Sequence, residues 1–112
     1  MATSTLPPDV DPECVELCNA INLLPGIQTR ESCSGHGEGS YHIFIEARNL
    51  ESLPPLLYWF DGCHCGCYDW RVIVRTDCAM RPVYFMIEGP VGAYEEAYKI
   101  AGLIRDYVEE VD

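Results

Sequence analysis

The side chains best suited to chemistry are concentrated in one short, glycine-rich segment, Ser32-Cys33-Ser34-Gly35-His36-Gly37. Cys33 is a candidate nucleophile and His36 a candidate acid–base group, because a neighbouring cation lowers a thiol pKa and imidazole titrates near neutrality. Glycines at 35 and 37 let a ligand approach the backbone, whose N–H groups can bind an anion together with the hydroxyls of Ser32 and Ser34. We therefore expect a ligand-binding or catalytic loop; the alternative is a plain connection after a buried cysteine.

Cys33 and His36 also have the Cys-x-x-His spacing of zinc ligands. A second cluster, with which they can complete a tetrahedral site, comprises Cys63, His64, Cys65, Cys67 and Cys78. Its Cys-x-Cys-x-Cys spacing lacks the two-residue interval of most zinc motifs, so a zinc site is an alternative prediction. A Cys63–Cys67 or Cys65–Cys78 disulfide is another. Cys14 and Cys18 are four residues apart, either as a ligand pair or as small apolar core residues.

Three arginines can form an anion site in a chain that has only 7 lysines and arginines. Arg71 and Arg75 fall on one face of an alternating segment, and Arg30 lies in the first hairpin. Guanidinium groups bind phosphate and carboxylate through paired hydrogen bonds. The alternative is pairing with the nearby acids Glu31, Glu46 and Glu88.

The segments that position these residues follow the order α-β-β-α-β-β-α. Asp11-Pro12 predicts a capped helix start and Pro25-Gly26 its end. A strand is predicted at 27–33, and alternation predicts three more at 41–47, 70–76 and 82–88. A helix is predicted from Ser52 to about Phe60, and another after Ala93. The pattern predicts an α+β fold, an antiparallel-rich four-stranded sheet with helices packed on one face. We expect residues 1–10 to form a flexible leader and residues 11–112 a single domain.

Alternation also divides the sheet into two faces. The helix-facing set is Tyr41, Ile43, Ile45, Val72, Val74, Val83, Phe85 and Ile87. The opposite set is His42, Phe44, Glu46, Arg71, Ile73, Arg75, Tyr84, Met86 and Glu88. The second set mixes apolar and charged residues, which predicts a ligand surface or a homodimer interface.

Charge and length exclude several classes of function. The 112 residues carry a net charge of −11, which argues against non-specific nucleic-acid binding, because phosphate neutralisation needs lysine and arginine. No apolar run is long enough for a membrane span, and the first residues do not resemble a signal peptide. We expect a cytoplasmic protein with reduced thiols.

The segment Thr29-Arg30-Glu31-Ser32-Cys33-Ser34-Gly35-His36-Gly37 resembles a Ser-Cys-Ser/Cys-Gly-His-Gly segment of small bacteriophage and bacterial proteins. Ser32-Cys33-Ser34-Gly35 also resembles the Ser-Ser-Cys-Ser-Gly-Arg segment of the wybutosine-synthesising tRNA methyltransferase family. His36 stands where that family has arginine. The second resemblance implies an S-adenosylmethionine-type ligand, and the first implies a phage setting in which a small ligand is sequestered.

The leading prediction is a domain that binds a small anionic, nucleotide-like molecule between the Ser32–Gly39 loop and the arginine-bearing face. One alternative is an enzyme that uses Cys33 and His36, such as a tRNA-modification methyltransferase relative. The other is a zinc-stabilised module that engages a basic partner through its acidic surface.

Overall fold

Helices and strands alternate in the order that the sequence predicts, so the α+β fold is confirmed. The computed structural model describes residues 10–48, 50–60, 70–75 and 84–111. The elements are α1 (Pro12–Ile21), β1 (Ile27–Cys33), β2 (Tyr41–Ala47), α2 (Leu53–Phe60), β3 (Arg71–Arg75), β4 (Tyr84–Gly89) and α3 (Tyr94–Val111). Single 3-10 turns lie at Gly35–Gly37 and Leu50–Ser52.

The four strands form one antiparallel sheet in the order β1-β2-β4-β3. β2 pairs with β1 in the first hairpin and with β4 on its other side. A register shift between Thr29 and Glu31 places one extra residue, Arg30, in β1. Such a bulge strengthens the local twist of an edge strand and disfavours further pairing along it.

The core lies between the sheet and the helix pair α1 and α3. Tyr41, Ile43 and Ile45 of β2 are fully buried, as the alternation predicts for a half-buried strand. Leu56, Trp59 and Phe60 of α2 also belong to this core. α1 and α3 contribute Cys14, Leu17, Cys18, Ala20, Ile21, Ala97, Ile100, Ala101 and Ile104. The opposite face keeps a mixed composition, with Phe44, Ile73 and Met86 only partly buried.

Some details differ from the sequence-based expectation. Val74, expected on the helix-facing side, is 64% exposed, because it lies near the end of the edge strand β3. α1 ends at Ile21, one turn before Pro25, and turn hydrogen bonds bring Leu24 back into the core. Val83 lies outside the described residues.

Candidate metal centre

The loop between β1 and β2 is a tight turn built from left-handed backbone. Gly35, His36 and Gly37 have φ values of +79°, +52° and +81°. Gly35 lies against the next strand, since a Cβ there would come within 2.8 Å of the Ser40 carbonyl oxygen. His36 is the only described residue other than glycine with a positive φ, a conformation that disfavours most side chains. The turn leaves its imidazole largely exposed at the end of the sheet.

Asp11 connects this loop to the start of α1. Its Oδ2 accepts hydrogen bonds from the Ser34 amide at 2.9 Å and from the Ser34 hydroxyl at 3.1 Å. The residue occupies the predicted helix-cap position, but its side chain makes no capping hydrogen bond to α1. The Ser34 amide hydrogen bond, more than any other contact, holds the pKa of the Asp11 carboxyl below its usual value. The carboxylate is therefore ionised at neutral pH.

Asp11, Cys33 and His36 bring three donor atoms to one place. One ligand atom from each residue lies within 4.8 Å of the other two, and the His36 Nε2 to Asp11 Oδ2 distance is 3.9 Å. Tetrahedral zinc sites with bonds of 2.0–2.3 Å hold their ligand atoms about 3.3–3.8 Å apart. Small side-chain movements would therefore place all three atoms around one ion. We call these three residues the metal cluster.

The three ligand atoms converge on one point. This arrangement differs from that of a catalytic triad, in which a nucleophile, a base and a carboxylate follow one another in a row. A single ring nitrogen of His36 lies close to both the Cys33 sulfur and an Asp11 oxygen. In such a triad, the imidazole uses one nitrogen toward the nucleophile and the other toward the carboxylate. The Cys33 sulfur also accepts a hydrogen bond from the Gly35 amide at 3.3 Å, as a metal-bound thiolate would. The predicted nucleophilic role of Cys33 stays a prediction.

The residues predicted to bind an anion do not all lie in the loop site. Ser32 lies opposite Ile43 on the helix-facing side, where its hydroxyl interacts with the buried thiols of Cys14 and Cys18. The loop amides are engaged as well, because Ser34 donates to Asp11, Gly35 to Cys33, and His36 to the Ser34 hydroxyl at 3.3 Å. Anion binding by this loop would require these contacts to rearrange.

The three arginines are spread over the sheet. Arg30 pairs with Glu46 at 2.7 Å and Arg71 with Glu88 at 2.6 Å, the alternative that the sequence left open. Arg75 lies at the opposite end of β3 from Arg71. Arg71 is on the same cross-strand row as Cys33 but three strand spacings away, about 14 Å.

Of the predicted metal ligands, only Cys33 and His36 lie in the described part of the chain, together with Cys14 and Cys18, which are core residues. The second cluster, Cys63, His64, Cys65, Cys67 and Cys78, lies outside it. Sequence reasoning did not place Asp11 in this group of candidate ligands, because nothing in a cap signature indicates contact with a loop 23 residues away.

No family model, curated protein or solved structure matches the chain. The resemblances found in the Ser32–Gly37 segment therefore stay predictions. None of the helices among the described residues has the length and apolar character needed to cross a bilayer.

Proposed function

We propose that this protein is a metal-binding domain that holds one zinc-class divalent cation through Asp11, Cys33 and His36. The observation that carries the proposal is the convergence of a carboxylate, a thiol and an imidazole within 4.8 Å. This mixed O, S and N donor set suits a borderline ion such as Zn²⁺ better than Mg²⁺ or Ca²⁺, which prefer oxygen alone.

Hydrogen bonds to two of the three proposed ligands support the same proposal of a metal site. Metal-binding carboxylates and thiolates are usually held by further hydrogen bonds, and here Ser34 orients Asp11 while the Gly35 amide orients Cys33. The strained backbone of His36 positions its ring toward the same point. An ion bound here would join the start of α1 to the β1–β2 loop and so stabilise the folded state.

The first experiment measures zinc stoichiometry and affinity of the reduced full chain by elemental analysis and chelator competition. We expect one ion that depends on the cluster. Asp11→Asn keeps an acceptor for Ser34, and His36→Asn keeps a residue that tolerates positive φ. Each of these variants, and Cys33→Ser, should weaken binding at least about 100-fold, since losing only an outer hydrogen-bond partner already costs about 10–100-fold.

Cys65→Ser is the matched control, because it removes a thiol outside the metal cluster and should leave the affinity unchanged. Circular dichroism checks that each variant folds. If the three cluster variants bind zinc as tightly as the unaltered chain, the cluster is not the site. Loss of binding in Cys65→Ser alone would instead assign the ion to the second cysteine cluster.

A small anionic ligand is the second candidate, and one observation favours it at another place. A cavity of about 260 Å³ is lined by Asn22, Gly26, Ile27, Gln28 and Arg48. Among the described residues the Arg48 guanidinium has no ion-pair partner, unlike that of Arg30 or Arg71. The wall beside it is fixed, since the Asn22 amide exchanges two hydrogen bonds with Thr29 at 2.8 and 2.9 Å.

Titration with inorganic phosphate and with succinate, followed by amide chemical shifts, tests this second candidate. We expect saturable shifts around Gln28 and Arg48 that Arg48→Gln abolishes and Arg75→Gln preserves. The two probes separate a phosphate site from a carboxylate site. Equal responses in both variants would show that binding, if any, does not use this cavity.

A further inference from the structure

We propose that His42 is the fourth ligand of the ion and closes the site, so that the ion clamps the fold and has no open position for a substrate. This inference rests on the proposed function. His42 of β2 would join three ligands that come from the start of α1, from β1 and from the loop between β1 and β2. It also determines whether the site belongs to the structural or the catalytic class, because structural zinc sites are four-coordinate whereas catalytic sites keep one position free.

The sheet register places His42 beside the metal cluster. Cys33 and His42 are direct partners across the antiparallel β1–β2 pair. Side chains of directly opposite residues project from the same face, with Cβ atoms about 4.5–5.5 Å apart. A thiolate and an imidazole that leave the sheet side by side at this spacing can reach the same ion. His42 is not among the three residues whose ligand atoms lie within 4.8 Å, so its ring would have to turn from Phe44 toward Cys33 to join them.

The imidazole of His42 is available for this role. Among the described residues it makes no hydrogen bond or ion pair, and its ring only meets the Phe44 ring edge-on at 5.6 Å. The carboxylate on its other side is already occupied. Glu88, its partner on β4, holds Arg71 at 2.6 Å through Oε1 and Ser40 at 3.3 Å through Oε2. His42 therefore lies across from Cys33 with an imidazole that no polar partner among the described residues occupies.

Charge balance fits a closed site. The Cys33 thiolate and the Asp11 carboxylate neutralise a divalent ion, and two imidazoles complete the tetrahedron without adding charge. A neutral centre is the form best tolerated at the half-buried end of a sheet. With ligands from two strands, a helix start and the loop, the ion would hold the end of the β1–β2 hairpin against α1.

The test counts the imidazoles on the ion. Zn²⁺ is added to the ¹⁵N-labelled reduced full chain, and the ring signals of the three histidines are followed. We expect two of them, His36 and His42, to change on binding. In parallel, Co²⁺ replaces Zn²⁺, and its visible absorption reports the geometry. His42→Ala should weaken binding at least about 100-fold, as the loss of each other ligand does, and alter the Co²⁺ spectrum. Glu38→Gln, which changes another polar side chain of the loop, should do neither.

Each outcome gives a decision. Unchanged affinity and an unchanged Co²⁺ spectrum in His42→Ala, together with loss of binding in Cys33→Ser, would overturn the inference and leave the proposed function standing. If only the His36 ring signal of the unaltered chain shifts on zinc binding, the inference is also overturned and the proposed function stands. This measurement needs no variant, so it decides the question even if His42→Ala does not fold. If the unaltered chain binds no ion, the proposed function and this inference both fail.

Discussion

His36 shows how a single residue's conformation defines the site. Its φ of +52° and ψ of +29° place it in the left-handed region between two glycines that share positive φ. Such a backbone costs a non-glycine residue about 1 kcal/mol or more, so it persists only where the surroundings fix it. Here the fixing contacts are the Ser34 hydroxyl on the His36 amide and the close approach of Gly35 to Ser40.

Alanine at Gly35 and at Gly37 should separate backbone strain from a steric clash. Both positions have positive φ, but a Cβ at Gly35 would meet the Ser40 carbonyl at 2.8 Å, whereas one at Gly37 meets nothing within 4 Å. We expect Gly37→Ala to destabilise the fold by about 1 kcal/mol and Gly35→Ala by at least about 2 kcal/mol. Urea unfolding measures both. Equal losses would mean that the loop has room to move away from Ser40.

At this scale the sequence predicted only part of the site. The types and spacing of Cys33 and His36 identified them as candidate ligands, because few residue types bind zinc. Asp11 was predicted as a helix cap, since a local signature describes only neighbours in the chain. Its real partner, Ser34, is reached through tertiary packing of α1 against the hairpin.

Gly89 of β4 shows how a strand can depend on a residue without a side chain, because the ring of Trp70 occupies the space that a Cβ would need. Trp70 is 3% exposed and packs against Tyr41 and Phe60 at centroid distances of 5.3 and 5.5 Å. Its indole lies directly on Gly89, where a Cβ would come within 2.7 Å of three ring atoms. Its Nε1 donates to Glu96 of α3 at 2.5 Å. The indole is therefore held from several sides and cannot move aside.

Gly89→Ala should destabilise the protein by about 2–3 kcal/mol, since overpacking against a fixed core residue costs this much. Gly102→Ala is the matched control, because a Cβ there meets nothing within 4 Å and the residue lies inside α3. Alanine favours a helix, so the control should gain about 0.5–1 kcal/mol. Thermal and urea unfolding give both values. A neutral Gly89→Ala would show that Trp70 can shift.

The ionisable groups buried at α1 should make the protein less stable at alkaline pH. Burial raises the pKa of the Cys18 thiol to about 12, and it raises the pKa of Cys14 and Tyr41 as well. These groups ionise in the unfolded chain from about pH 9 upward but stay neutral in the folded one, so their contribution is complete below pH 9 and is lost as pH rises toward 12.

We expect the free energy of unfolding to fall by at least about 2 kcal/mol between pH 8 and pH 10.5, measured in urea with a reductant present. Cys18→Ala removes one of the ionising groups and should flatten this dependence, even though it is less stable at neutral pH. A flat curve for the unaltered chain would mean that these thiols reach water in the folded state.

The elements themselves were largely predictable. Strict alternation predicted β2, β3, β4 and the two faces of the sheet, because a half-buried strand imposes a period of two. The strand order was not predicted, since no local sequence pattern indicates that β4 lies between β2 and β3 in the sheet. Val74 shows the same limit: its alternation indicates the helix-facing side, but only the sheet order shows that it lies on an uncovered edge.

The whole molecule carries a net charge of −11, and three of its 7 lysines and arginines are seen in ion pairs with acids. Arg30, Arg71 and Arg105 each pair with a glutamate within 2.8 Å. The remaining acids repel one another across a small domain, and such repulsion destabilises the compact state until salt screens it.

Raising NaCl from 10 to 150 mM should therefore increase the melting temperature by about 2–5 °C. Replacing the exposed Glu109 and Glu110 by glutamine should reduce the size of this effect, because it removes two of the repelling charges. A melting temperature that falls with salt would mean that the ion pairs outweigh the repulsion.

By itself the sequence determined the class of fold, the two faces of the sheet and the chemically capable loop, because periodicity and residue type act over a few neighbours. Tertiary structure alone decided the rest. It brought Asp11 to the loop, turned Ser32 toward the core, separated the arginines and placed His42 beside Cys33. These are contacts between segments distant in the chain, and they depend on strand register and helix packing, which no local pattern specifies.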